Sequence, residues 1–308
     1  MKDLQTYTEN FLEHCRNQKR LNEKTLKSYR IDLKQFRTET AAGSIFEITP
    51  DTLENFLAIL HRKYKPKTVK RKIAVVKAFF HYLEYKDIID RSPFYKIHVK
   101  FREPAILPRT IPIHTVEHFL SVIYRHHAEA KTDFQRKRTL RDIAVIELLF
   151  ATGMRISELC SLNTADVNLR DRSILIYGKG SKERKIQIGS DDVVRVLEKY
   201  KAVFLPEMQS SGNFFTSLSG KPLSDQSVRR MIRKYTSLAD IDLHITPHMF
   251  RHTFATSLLE ADVDIRYIQK MLGHSSIHIT EIYTHVAMSK QRDILATKHP
   301  RKTFTLEI

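Results

Sequence analysis

Thr246-Pro247-His248-Met249-Phe250-Arg251-His252-Thr253-Phe254-Ala255-Thr256 is the stretch on which the reading of this chain turns. A threonine followed by proline marks a helix start, because the hydroxyl caps the first turn and proline's missing N–H has no partner there anyway. On such a helix His248 and Arg251, three residues apart, share one face near the N-terminus, while Phe250, Phe254 and Leu258 turn to the core. Two donors beside the positive end of a helix suit a phosphate. The bare pattern His-x-x-Arg decides little, because a chain with 15 His in 308 residues produces it roughly once from composition alone. The flanking sequence must decide.

Outward from this segment, short helices alternate with a small sheet. Arg141 to Ala151 is an apolar helical stretch ending at Thr152-Gly153, after which Arg155 and Ser157-Glu158-Leu159 open another helix. Ser173-Ile174-Leu175-Ile176-Tyr177 and Lys185-Ile186-Gln187-Ile188 read as two strands around Gly178-Lys179-Gly180-Ser181, a hairpin that carries a lysine at its tip or edge. Ser224 caps a helix through Val228, Met231, Tyr235 and Leu238; Gly273 ends a further helix and Ser276 starts the next. The predicted fold class is mainly α with a small β-sheet (α+β).

The first third is helical throughout. Asn22 caps a helix with Leu26, Tyr29, Leu33 and Phe36 on one face, and Thr49-Pro50 leads into Leu53, Phe56, Leu57 and Leu60. Val69, Ile73, Val76, Phe80 and Leu83 then repeat at helical spacing, with Lys67, Lys70, Arg71 and Lys77 on other faces. From Ser92 to Pro112 the sequence places Pro93, Pro104, Pro108 and Pro112 in one segment that continues neither helix nor central strand. This predicts two domains, a helical one over 1–103 and a mixed one over 112–308, joined by a linker at 104–111.

Charge narrows the partner. The chain holds 52 Lys and Arg against 35 Asp and Glu, a formal +17, and calls for an acidic partner, of which nucleic acid is the commonest for an intracellular protein. Residues 1–103 carry 22 basic against 13 acidic residues and the remainder 30 against 22, so both domains are expected to touch the same polyanion. One basic helix face is ordinarily a solvated surface; the net +9 of residues 1–103 turns Lys67, Lys70 and Arg71 into candidate DNA contacts. Cys15 and Cys160 form neither a ligand pair nor a disulfide framework, which predicts a reducing, cytoplasmic setting. The first fifteen residues lack the apolar core of a signal peptide, and the most apolar run, Ile143 to Thr152, is interrupted by Glu147 and too short for a bilayer, so no membrane partner is expected.

Taken singly, Arg155, Lys179, His274 and Tyr283 read as a surface charge, a solvated hairpin lysine, a helix-end histidine and a core tyrosine. Together with the helix at 246–256 they fall into an ordered pattern. Ala151-Thr152-Gly153-Met154-Arg155-Ile156-Ser157-Glu158-Leu159, the block from Gly178 to Arg184, the Thr246–Thr256 segment, and Leu272-Gly273-His274 through Ile282-Tyr283-Thr284-His285 resemble, in order and spacing, the tyrosine recombinases of the phage-integrase family, most closely its Xer-type members. The resemblance extends over nearly the whole chain, since the basic helical domain is similar to that family's core-binding domain and the second to its catalytic domain.

The resemblance implies a site-specific recombinase in which Tyr283 is the nucleophile that forms a 3′-phosphotyrosyl link to DNA. It gives Arg155 and Arg251 the non-bridging phosphate oxygens, Lys179 the proton for the departing 5′-oxygen, His248 the proton of the tyrosine, and His274 a hydrogen bond to the phosphate. It implies no cofactor, neither ATP nor metal, because the phosphate ester is kept in the intermediate. Recombination sites in double-stranded DNA and a homotetramer, or a heterotetramer with a second recombinase, are the implied partners, with residues 287–308 docking onto a neighbouring subunit. The task is chromosome dimer resolution, hence chromosome partition, or integration and excision of a mobile element.

Competing readings are a type IB topoisomerase-like relaxing enzyme, with similar site chemistry, and a non-catalytic architectural DNA-binding protein, which would be expected to lack one of the six site residues. Zinc on His274, His278 and His285 finds no cysteine or acidic ligand at a familiar spacing, and a two-metal nuclease needs clustered carboxylates. Two features depart from the Xer-type pattern: residues 125–140 read as a longer, more basic loop available for DNA or a partner, and Ile279 stands where a second threonine is common.

Overall fold

A computed structural model describes residues 3–97, 109–178 and 183–273. The chain divides into two compact units, Met1–Ala105 and Ile106–Ile308.

The first unit is built on four helices: α1 (Leu4–Asn17), α2 (Glu23–Thr40), α3 (Pro50–Lys63) and α4 (Pro66–Tyr85). Asp3 and Asn22 cap α1 and α2 through the amides of Thr6 and Thr25, and Thr49 with Thr52 forms a reciprocal capping box ahead of Pro50. All four apolar positions read in α3 and all five read in α4 are buried. Their centre is a run of edge-to-face rings, Phe11 on Phe79, Phe36 on Phe56 and Phe80, and Phe80 on Phe94. Sequence reading missed Lys72, which is buried: its ammonium donates to Asp32 (2.8 Å) and Gln35 (2.6 Å) and lies over the Tyr64 ring. Asp32, itself buried, also pairs with Arg71.

The second unit sets α5 (Ile113–Ala128) and α6 (Asp133–Thr152) beside the short α7 (Ile156–Cys160). A three-stranded antiparallel sheet follows, β1 (Val167–Asn168), β2 (Ser173–Tyr177) and β3 (Glu183–Gln187), and then α8 (Asp191–Val203), α9 (Leu205–Ser211), α10 (Asp225–Leu238), α11 (Pro247–Glu260) and α12 (Ile265–Leu272). Helix α6 is the hub, with Ile143 to Ile146, Leu148 and Leu149 all buried. Among the described residues, no helix is long and apolar enough to cross a membrane.

The structure corrects three sequence expectations. Residues 125–140 are not a long loop: α5 runs through Ala128, and Thr132 with Gln135 forms a capping box that starts α6 at Asp133. The charged exterior of two helix ends has the composition of a loop. The second strand begins at Glu183 and ends at Gln187, earlier than the 185–188 reading, and β1 adds a two-residue edge too short to leave a pattern. Most of the expected linker at 104–111 lies outside the described residues, and the described chain on either side packs into its own unit. Pro93–Lys96 is a 3-10 helix followed by buried Ile97, and Ile111 is buried in the second core, its amide donating to Thr253 Oγ1 at 2.8 Å. Finally, Thr246 occupies the position before α11, but its side chain makes no capping bond.

Candidate active site

The corner between α6 and α7 places Arg155. Gly153 ends α6 in the left-handed region (φ 58°), and a Cβ there would lie 2.6 Å from Cδ1 of Phe254, so both backbone and space require glycine. Arg155 then stands at the N-cap of α7, and Glu158, three residues on, reaches back in the manner of a capping box: its Oε2 accepts from the Arg155 amide at 2.8 Å and its Oε1 from Arg155 Nη1 at 2.7 Å.

Glu158 serves a second arginine. In the β2–β3 register Ile174 opposes Ile186 and Ile176 opposes Arg184, so Arg184 shares the inward face with three buried isoleucines. A guanidinium there needs a counter-charge. Glu158 supplies it, accepting from Arg184 Nη1 at 3.0 Å and Nη2 at 2.6 Å. Burial pushes the Glu158 carboxyl up, but the hydrogen bonds from Arg184 and from the Arg155 amide outweigh it and hold the group below the usual carboxylate range.

Arg251, on α11, is 5% exposed. Its Nη1 donates to the Gly153 carbonyl (2.9 Å) and its Nη2 to the Leu272 carbonyl (2.7 Å). Arg184 Nε donates to the adjacent Met271 carbonyl at 2.8 Å. Two guanidiniums thus meet the C-terminal carbonyls of α12, which carry the negative end of its dipole and have no partner within the helix. Gly273 closes α12 in the left-handed region (φ 64°), against the Arg184 side chain.

His248, one turn before Arg251, opens to solvent on one side. Partial burial, followed by the nearby guanidiniums of Arg229, Arg251 and Arg155, pushes its pKa below the ordinary histidine value, so the ring is neutral at pH 7. Its effect on His248 places Arg229, on α10, in this cationic cluster. His252 is lowered too, by burial and then by His248 and Arg251.

Of the residues expected at the site, Arg155, His248 and Arg251 are brought into one neighbourhood; Lys179, His274 and Tyr283 lie outside the described residues, as do His278, Ile279 and His285. Lys67 and Lys70 are exposed on α4, and Arg71 is exposed while paired with Asp32. Sequence reasoning gives Glu158 and Arg184 no role and misses Arg229. Two signals were present: the N-cap to N3 spacing of Arg155 and Glu158, and the period-two phase of Arg184 with Ile186 and Ile188. Among the described residues, no three His, Cys, Asp or Glu side chains gather as metal ligands.

Residues 122–290 match the phage integrase family, and residues 8–86 match the phage integrase N-terminal SAM-like domain. A tyrosine recombinase of Agathobacter rectalis is 63% identical over 304 residues, covering 99% of each chain. The tyrosine recombinase XerD of Halalkalibacterium halodurans is 34% identical over 310 residues, 98% of this chain and 100% of that one. Among solved structures, the XerH site-specific recombinase bound to a palindromic difH substrate, a post-cleavage complex, has a TM-score of 0.74 at 23% identity over 95% of this chain and 84% of that chain, a likeness of fold. These relatives do not favour the topoisomerase-like or architectural alternatives. With both units matched in order and the arginine-rich corner built as described, the chain belongs to the phage integrase family and is a tyrosine recombinase.

Proposed function

We propose that this protein is a site-specific recombinase that breaks and rejoins duplex DNA through a 3′-phosphotyrosyl intermediate. The Tyr283 oxygen attacks a backbone phosphorus, the bond from phosphorus to the 5′-oxygen breaks, and a free 5′-hydroxyl leaves. Neutral His248 takes the tyrosine proton, Lys179 gives one to the departing oxygen, and His274 donates to the phosphate. Arg155 and Arg251 hold the charge that grows on the non-bridging oxygens. The reverse attack by a 5′-hydroxyl of a second site restores the backbone, so the ester is conserved and neither ATP nor metal enters.

The observation that carries this reading is the bond from Arg251 to the Gly153 carbonyl, which ties the α11 arginine to the corner holding Arg155. Residues 1–103 would serve as the core-binding domain, joined through 104–111 to the catalytic domain at 112–308. Exposed Lys67 and Lys70 would contact phosphates, which predicts salt-sensitive binding; Arg71 would do so in competition with Asp32. Lambda integrase has been solved as a tetramer on a Holliday junction, and four protomers acting pairwise, identical or shared with a second recombinase, are proposed here, with residues 287–308 docking between subunits. The setting is the cytoplasm, and the task is chromosome dimer resolution or mobile-element movement.

The test is covalent trapping on a nicked suicide duplex made from sites flanking the native gene, in excess EDTA, comparing wild type with Tyr283→Phe on denaturing gels. A wild-type adduct that Tyr283→Phe abolishes is the expected result. An adduct that survives Tyr283→Phe, or cleavage that needs Mg²⁺, would refute the mechanism.

A further inference from the structure

A second concentration of positive charge lies inside the catalytic unit. The turn between α5 and α6 borders a cavity of about 520 Å³ lined by His126, Lys131, Gln135, Arg138 and Thr139, with Glu129 as its carboxylate. Behind His126 stands Lys234 of α10, whose ammonium donates to His126 Nε2 at 3.2 Å and lies over the Tyr235 ring. A lysine only donates, so Nε2 is the acceptor and Nδ1 is the proton-bearing nitrogen of the ring.

The cations here exceed their counter-charges. Asp142, the buried carboxylate nearby, is taken by Arg141 (2.7 Å) and by the Tyr235 hydroxyl (3.0 Å). On the same helix Lys137 is paired with Glu207 and Arg136 with Asp133. Arg138, which lines the cavity, is paired with no carboxylate among the described residues; its guanidinium lies 6.0 Å from the Phe134 ring centroid, and its buried Nε has no acceptor. A buried, unmatched guanidinium N–H is costly. Burial and then the Arg138 charge lower the Lys234 pKa, and burial, Lys234 and Arg138 lower that of His126, the electrostatic mark of too many cations in one place.

We propose that this cavity binds a phosphate group, held by Arg138 and Lys131 with Lys234 and His126 supporting it from behind. The group has two possible sources with one chemistry, a free phosphate ion or a phosphate of the DNA backbone. A planar guanidinium without a carboxylate partner matches phosphate oxygens, and the cavity has room for the ion and its water.

The test is calorimetric titration of the full chain with inorganic phosphate at constant ionic strength. It is performed in an Arg155→Gln background, so that phosphate drawn to the cluster around Arg155 is common to every comparison. Arg138→Gln should weaken saturable binding at least tenfold, and Arg136→Gln, on the same helix but outside the cavity, should leave it unchanged. Glu129→Gln, which removes the carboxylate from the lining at an exposed position, should tighten binding about threefold and keeps the test open if Arg138→Gln misfolds. A short duplex that displaces the phosphate identifies the DNA backbone as the source; a duplex that leaves it in place identifies the free ion. Equal affinity in the Arg138 and Arg136 variants, or no saturable binding in the background protein, overturns the proposal.

Discussion

Replacing Glu158 by glutamine tests whether the active-site corner is held as described. The carboxylate is 6% exposed and accepts four hydrogen bonds, from the Arg155 amide and Nη1 and from Arg184 Nη1 and Nη2, at 2.6–3.0 Å. Glutamine keeps the shape, but its amide nitrogen must face donors on one side, so two of the four bonds are lost and two guanidiniums lose their shared charge. Breaking a buried ion pair by removing one partner costs about 3–5 kcal/mol. With a urea m-value of about 2 kcal/mol/M, that moves the unfolding midpoint of the catalytic unit by roughly 2 M.

Two assays apply. Urea unfolding followed by peptide-resolved hydrogen exchange reads the two units separately, and peptides from α1–α4 should be unaffected. Single-turnover cleavage should fall by about 10²–10³, the usual cost of losing one preorganised donor at a developing oxyanion, because Arg155 is no longer held. In an Arg184→Gln background the same substitution should cost far less stability, since the pair is already broken. A stability loss below about 0.5 kcal/mol, with normal cleavage, would refute the claim that Glu158 organises the corner.

The remaining predictions concern single positions. Gly153→Ala meets a left-handed backbone and the Phe254 ring at 2.6 Å; a loss of about 2–4 kcal/mol by thermal unfolding is expected, and an unchanged midpoint would mean that the corner relaxes freely. Asp32→Asn strips the buried Lys72 ammonium of its counter-charge and should destabilise the first unit alone by about 3–5 kcal/mol, read by the same exchange experiment. For His248 the folded pKa lies below the unfolded 6.5, so the unfolded chain gains protons first. The stability it contributes is complete above that pH and falls as pH drops through and below it. His248→Gln should flatten this slope in a comparison at pH 7.5 and 5.5, with the opposing shift of Glu147 common to both proteins; identical slopes would show that the ring titrates as it does in the unfolded chain.

Much of the architecture was legible because it is written in local periodicity. The buried faces of α3 and α4, the Asn22 and Ser224 caps, and the glycines closing α6 and α12 all depend on neighbours within a turn or two. What escaped depends on distant partners. Nothing within the basic run Lys70-Arg71-Lys72 says that the third residue goes inward, because the carboxylate that draws it, Asp32, is 40 positions away. Arg184 has no legible role in the sequence for the same reason: its strand begins with polar residues, and the charge that makes an inward arginine tolerable lies on α7. Residues 125–140 misled through composition, since the exposed turns of α5 and α6 are as charged as a loop.

The anchoring of α12 also has a meaning in time. Arg251 rests on the Gly153 carbonyl behind it in the chain and the Leu272 carbonyl ahead of it, and Arg184 rests on Met271. A ribosome delivers these groups in sequence, and the first unit and the α6 hub can fold while later codons are still being read. A nascent chain arrested at residue 260 therefore holds both arginines with their forward anchors not yet synthesised, and the arginine-rich corner is complete only after translation has passed Leu272. Limited proteolysis of released chains truncated after residue 260 or after residue 273 should show protection around Arg251 only in the longer one, and equal protection in both would refute this order.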